Sequence, residues 1–69
     1  MSRKSIGLTE RDKSILGLLI EGQSNEQIAR NLSLSPNYIK NEFQTILKIL
    51  GVRNRTGAAV RWFYLRVVA

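Results

Sequence analysis

The chain has 69 residues, 43% of them hydrophobic, with 11 Lys and Arg against 5 Asp and Glu and with neither histidine nor cysteine. That length suits one small domain, and a domain of that size buries only about 60% of the surface its unfolded chain exposes, so partners can contribute to its stability. The missing residue types exclude disulfides, thiolate catalysis, cysteine-based zinc sites and the commonest general base; the carboxylates Glu10, Asp12, Glu21, Glu26 and Glu42 form no Asp-x-Asp cluster, and no glycine-rich phosphate cradle or nucleophile elbow occurs. These absences argue against an enzyme, a metal site or a cofactor.

Residues 1–7 read as a basic N-terminal arm with Arg3 and Lys4, and residues 8–69 as the domain. The opening MSRKS is followed by IGLTERDK and not by an apolar run, and the longest apolar stretches are far too short to span a bilayer. No secretory signal or membrane segment is therefore expected, and the location read from this is cytoplasmic. Thr9 followed three residues later by Asp12 predicts a capped first helix, with Leu8 as a possible staple; it runs to about Glu21, has an apolar side of Ile15, Leu16 and Leu19 that can extend to Leu18 and Ile20, and stops at Gly22. Ser24 with Gln27 repeats the cap and starts a short second helix carrying Ile28, Ala29 and Leu32. NLSLS breaks it. Ser35 and Pro36 are a cap followed by a proline at the first helical position, where its missing N–H costs nothing.

The third helix, about residues 36–50, has two faces. At 100° per residue, Ile39, Phe43, Ile46, Leu47 and Leu50 share an arc of about 100° and form a core face. Opposite lie Asn37, Lys40, Asn41, Gln44 and Lys48, all able to hydrogen-bond base edges or reach phosphates, with no acid among them. Ordinary solvated faces mix signs, and this strip does not. Gly51 stops the helix, VRNR forms a basic connection, and Thr56 is expected to cap a fourth helix. Its apolar residues make two stripes: Ala58, Trp62, Leu65 and Ala69 on one side, and Ala59, Val60, Phe63 and Val67 on nearly the other. A three-helix core cannot cover both, so the second stripe is expected to be a dimer interface, with a fraying tail or a contact to another domain as alternatives. No strand-like alternation, repeat or linker interrupts this all-α pattern of four helices.

Charge is unevenly placed: residues 1–34 hold five bases and four acids, a net of +1, whereas residues 35–69 hold six bases and one acid, a net of +5. Such a field attracts polyanions. Two helices joined by a tight turn, the second bearing a polar basic face, match the helix-turn-helix arrangement in which that second helix enters the major groove of double-stranded DNA. The N–H groups around Ser35 to Tyr38, at the positive end of the third helix, suit a phosphate.

The stretch LTERDKSILGLLIEGQSNEQIARNLSLSPNYIKNEFQTILKILGVRNRTGAA resembles the LuxR/FixJ/NarL-type DNA-binding domain. The shared motifs are the LT-x-R opening, G-x-SN-x-x-IA-x-x-L, LS with a following Lys40, and the LGV-x-NR-x-x-AA run ending at Ala59. The resemblance implies a four-helix, LuxR-type helix-turn-helix transcription regulator of bacterial type, whose fourth helix dimerises. Carried over by position, it implies base or phosphate contacts for Lys40, Asn41 and Gln44, extended by Asn37 and Lys48. The expected DNA-contacting set also takes in Ser35 and Tyr38 at the helix start and, where their loop faces the DNA backbone, Arg53 and Arg55 as phosphate anchors. Tyr38, Glu42 and Ile49 stand where the family usually has Thr, His and Lys, and they share one flank between about 260° and 300° on the same wheel, beside Thr45. That substitution weakens backbone contacts on this flank; alternatively the flank meets a protein, with Glu42 paired to Arg11 or Lys13, or it has simply drifted. Two functions are carried forward: a sequence-specific dimeric regulator, and a small interaction protein that pairs with a full-length regulator or touches an RNA polymerase subunit. A cationic membrane-surface peptide built on RWFYLRVV lacks the clean division of faces it needs.

Overall fold

The computed structural model describes residues 7–68, which form α1 (Glu10–Ile20), α2 (Asn25–Leu32), α3 (Pro36–Leu50) and α4 (Arg55–Val68) and no strand. The basic arm and Ala69 therefore lie outside the described residues, apart from Gly7. Each of the first three helices starts on a hydroxyl cap. The Asp12 N–H donates to Thr9 Oγ1 at 3.0 Å and the Thr9 N–H donates back to Asp12 Oδ2 at 3.1 Å. Ser24 and Gln27 repeat this reciprocal pair at 3.2 and 2.9 Å. At α3 the Tyr38 N–H donates to Ser35 Oγ at 3.0 Å, with Pro36 filling the first turn. Such caps satisfy donors that the helix itself leaves without acceptors, each contributing about 1 kcal/mol.

The helix ends are less uniform. Gly22 and Gly51 adopt φ of 88° and 70°, as their positions after the apolar periods predict. α2, however, ends on Ser33 at φ 59°, a left-handed serine, and the Leu34 N–H closes the turn on the Ala29 carbonyl at 2.8 Å. α4 differs from expectation at its start: it begins at Arg55, and Asn54 Oδ1 accepts the Gly57 N–H at 2.8 Å, so Asn54 occupies the capping role expected of Thr56. From just outside the helix, Asn54 accepts the third helical N–H, as an N-cap side chain does.

The core is built from one face of every helix. Ile15, Leu16, Ile28, Ile39, Ile46 and Ala58 are fully buried, with Leu8, Leu19, Ala29, Phe43 and Leu50 beside them and Trp62 and Leu65 closing the α4 side. Each large aliphatic removed from water contributes about 1.5–3 kcal/mol. α2 and α3 pack on one another across the Ser33–Ser35 turn, while α1 and α4 cover the apolar side of α3. Gly57 packs closely on the loop after α3: a Cβ there would approach Val52 Cβ to 3.2 Å, so Val52 would have to give by a few tenths of an ångström. This scaffold leaves the other side of α3 with no helix against it.

Candidate nucleic-acid interface

Burying Ile39, Phe43, Ile46 and Leu50 fixes the rotation of α3, and that rotation turns Asn37, Lys40, Asn41, Gln44 and Lys48 outward, all five exposed. They share one side of one helix, so their spacing is set by helical geometry alone. Among the described residues the one ion pair is Lys13 Nζ to Glu10 Oε2 at 3.3 Å. Lys40, Lys48 and Arg53 therefore keep their charge unneutralised within the fold, and Arg53 is exposed in the connection after α3. At the helix start, Tyr38 N–H is taken by Ser35 Oγ and Ile39 N–H by the Ser35 carbonyl, and Pro36 has none, which leaves the Asn37 N–H facing outward at the positive end of the dipole.

One basic residue, read from the sequence only as a partner for Glu42, lies beside the strip. Arg11, exposed on α1, places its guanidinium 5.8 Å from the centroid of the Tyr38 ring, so it adds a cation beside the start of α3. The signal was present in the LT-x-R opening, but nothing local connects residue 11 to residue 38.

Arg55 behaves differently from Arg53. It is half-buried, donates from Nη1 to Asn25 Oδ1 and from Nη2 to the Gln23 carbonyl, and lies 5.0 Å from the centroid of Phe43. Its guanidinium is occupied by the turn between α1 and α2, and it is not brought together with the exposed strip. Arg61, on α4, donates from Nε to the Leu50 carbonyl at 3.4 Å, closing the C-terminal end of α3 with a cation where the dipole favours one.

The flank of Tyr38, Glu42 and Ile49 divides in two. Ile49 is half-buried and packs on the core, with Gly7 against it: a Cβ on Gly7 would meet Ile49 Cδ1 at 3.4 Å. Tyr38 is the exposed member, at 37%. Glu42 makes no ion pair with Arg11 or Lys13; Lys13 is paired with Glu10. Hydrogen bonding to Asp12, then burial, then the Asp12 charge hold the Glu42 carboxyl above the usual glutamate range, while Arg11 acts in the opposite direction.

A second exposed face lies on α4. Val60, Phe63, Tyr64, Val67 and Val68 are each more than half exposed. Ala59, expected in that stripe, is half-buried and packs on the core, because it falls at the edge of the inward arc set by Ala58 and Trp62. Tyr64, which the stripe had omitted, takes a place in it, and with Val60, Arg61, Val52, Gly51 and Gly57 it lines a shallow groove. Among the described residues no helix is long and apolar enough to cross a membrane, and no three His, Cys, Asp or Glu side chains converge.

Comparison with known proteins agrees with this geometry. The family described as bacterial regulatory proteins, luxR family, matches residues 7–62. The chain is 44% identical over 54 residues to the DNA-binding transcriptional activator DevR/DosR of Mycobacterium tuberculosis, covering 78% of this chain and 25% of that protein. It is 44% identical over 61 residues to the CsgBAC operon transcriptional regulatory protein of Escherichia coli, covering 88% and 28%, and 36% identical over 61 residues to the transcriptional regulatory protein DesR of Bacillus subtilis, covering 81% and 31%. The chain thus spans between about a quarter and a third of the length of these relatives. No solved structure matches it significantly. With most of its length matched and its four helices in the order that the motifs imply, the chain belongs to the luxR family of bacterial regulatory proteins.

Proposed function

We propose that this chain is a DNA-binding transcription regulator that acts as a dimer in the cytoplasm and reads sequence by laying α3 in the major groove. The observation that carries the reading is the exposed strip Asn37, Lys40, Asn41, Gln44 and Lys48, free of acids, on the side of α3 that no other helix covers. Lys40, Asn41 and Gln44 present donors and acceptors suited to base edges. Lys48, Arg53, Arg11 and the N-terminal turn around Ser35 and Tyr38 supply phosphate contacts, which position the helix and carry the salt dependence. The exposed stripe of Val60, Phe63, Tyr64 and Val67 pairs with its two-fold mate. Two groove helices then sit about one helical turn, roughly 34 Å, apart on pseudo-palindromic DNA. The relatives named for transcriptional regulation support the same function.

The same α4 stripe supports a second reading, in which the partner is a longer regulator and the chain modulates it. Genomic fragments titrated against competitor DNA, with sedimentation of the chain alone, separate the two. Selective retention of a fragment by a dimer supports the first. A monomer that retains no fragment over competitor, yet sediments with a longer regulator, replaces it with the second.

A further inference from the structure

Asn25 of the SN motif and Arg55 of the NR motif have no part in the exposed strip, yet the fold brings them together. Electrostatics alone disfavours a cation there. Arg55 is the first residue of α4, where the helix dipole opposes positive charge, it is half-buried, and it is not in the one ion pair among the described residues. Its guanidinium is served instead by the Asn25 side-chain oxygen on Nη1, the Gln23 carbonyl on Nη2 at 3.0 Å, and the Phe43 ring 5.0 Å away. Those partners belong to the α1–α2 turn, the first residue of α2 and the buried face of α3. Asn25 stands seven residues ahead of Leu32, the last of α2, and Phe43 seven residues beyond Pro36, the first of α3. At 1.5 Å per residue, each is about 10 Å from the connecting turn along its own helix. The Ser33–Ser35 turn joins α2 and α3 at one end, and Arg55 joins them at the other.

We propose that Arg55 is a positioning residue for DNA reading: it pins the open end of the α2–α3 pair and so fixes the angle at which α3 is presented to the groove, without itself touching DNA. The proposal rests on the function proposed above and deepens it. Buried apolar residues also hold the two helices together, but that packing is non-directional, and helix pairs scatter by about 15–20° around their preferred crossing angles. Two hydrogen bonds from one planar fork have set directions, which a lysine, a single point charge, cannot reproduce. Scissoring by about 10° about the turn would carry Gln44, about 12 Å along α3, through about 2 Å. A base-edge hydrogen bond is lost over less than about 1 Å, whereas attraction to phosphates falls slowly with distance. Loss of the pin therefore erodes base reading and spares backbone affinity.

The test uses the whole chain, with Arg55→Met, Arg55→Lys and Asn25→Ala, at a temperature where melts show each variant fully folded. Residual dipolar couplings of the free protein read the orientation of α2 relative to α3. Competition between a duplex selected from genomic fragments and a random-sequence duplex reads selectivity, and repeating it across salt concentrations counts phosphate contacts. In Arg55→Met, α2 is expected to turn against α3 by about 10°. Selectivity is expected to fall about ten-fold, the size of one base contact, while the slope of log K on log salt stays that of the wild type. Arg55→Lys should match Arg55→Met, and Asn25→Ala should show a smaller loss that adds nothing to Arg55→Met. A folded Arg55→Met with wild-type orientation and selectivity overturns the proposal, and if that variant does not fold, the same result for Asn25→Ala does so. A salt slope reduced by about one unit with selectivity kept makes Arg55 a phosphate anchor and overturns it too, as does full rescue by Arg55→Lys. If the helices reorient as expected while the wild type holds no duplex over random sequence, the pin stands and the DNA-reading function falls.

Discussion

α3 and α4 each bury one face in the core and expose another, and the two exposed faces are chemical opposites. On α3 the outward side chains are Asn37, Lys40, Asn41, Gln44 and Lys48; on α4 they are Val60, Phe63, Tyr64 and Val67. Neither set contributes to the packing of the monomer. The polar strip is therefore free to be chosen for a ligand with directional hydrogen bonds and dense negative charge, and the apolar stripe for a surface that excludes water. A face that the fold does not need is where function can be written without changing the structure, and the contrast between an inward and an outward face on one helix can be tested by substitution.

The largest effect is expected on the inward side of α3. Ile46→Ala removes three carbons from a fully buried position and should cost about 2–5 kcal/mol, enough to abolish cooperative melting in a domain whose total is about 5–10 kcal/mol. Circular dichroism on heating reads this directly, and a melt within a few degrees of the wild type would show that the core is not centred on this helix. Phe63→Glu, outward on α4, should leave that melt unchanged but place a charge in the dimer contact. Association by sedimentation should weaken at least as much as the loss of a buried aromatic requires, about 1.5–3 kcal/mol or ten- to hundred-fold.

Lys40→Ala and Asn41→Ala, outward on α3, should also spare the melt. Each is expected to cost about 1–3 kcal/mol in operator binding and to relax base preference at one position, measured by competition between single-base variants of the site. Unchanged affinity and unchanged preference would remove α3 from the groove. The smallest expected effect separates two arginines two residues apart. Arg53→Ala should lower affinity for all sequences alike and flatten the dependence of log K on log salt by about one unit, because Arg53 is exposed and unpaired among the described residues.

What could be read from the sequence was whatever is local. The caps at Thr9, Ser24 and Ser35 act on donors three residues away, and the two faces of α3 follow from a period of 3.6, so both stand in the order of the letters. The misreadings have a shared cause in distance or in a neighbour's competing claim. Arg55 is turned inward by Gln23 and Asn25, some thirty residues earlier, a pairing that no periodicity reveals. Asn54 takes the α4 cap two positions ahead of Thr56 because its side-chain oxygen accepts the Gly57 N–H and so starts the helix at Arg55. Ser33 in the left-handed conformation was hidden because α2 ends where its neighbour α3 must begin, and the tight turn is enforced by packing and not by a glycine.

The inward turn of Arg55 also says when parts of this chain come together. Most of its contacts join residues close in sequence, as in other small helical domains, and these form before long loops close. The clamp from Arg55 to Gln23 and Asn25 closes loops of about thirty residues and yields its hydrogen bonds only once α2, α3 and the start of α4 are all in place, so it belongs to the last steps of folding. Arg55→Met should accordingly leave the refolding rate nearly unchanged and accelerate unfolding by the full cost of the lost bonds, about 1–3 kcal/mol or five- to hundred-fold in rate. Stopped-flow unfolding and refolding in urea measure both limbs. In that case the residue governs how long the folded chain persists, and has little influence on how quickly it is reached.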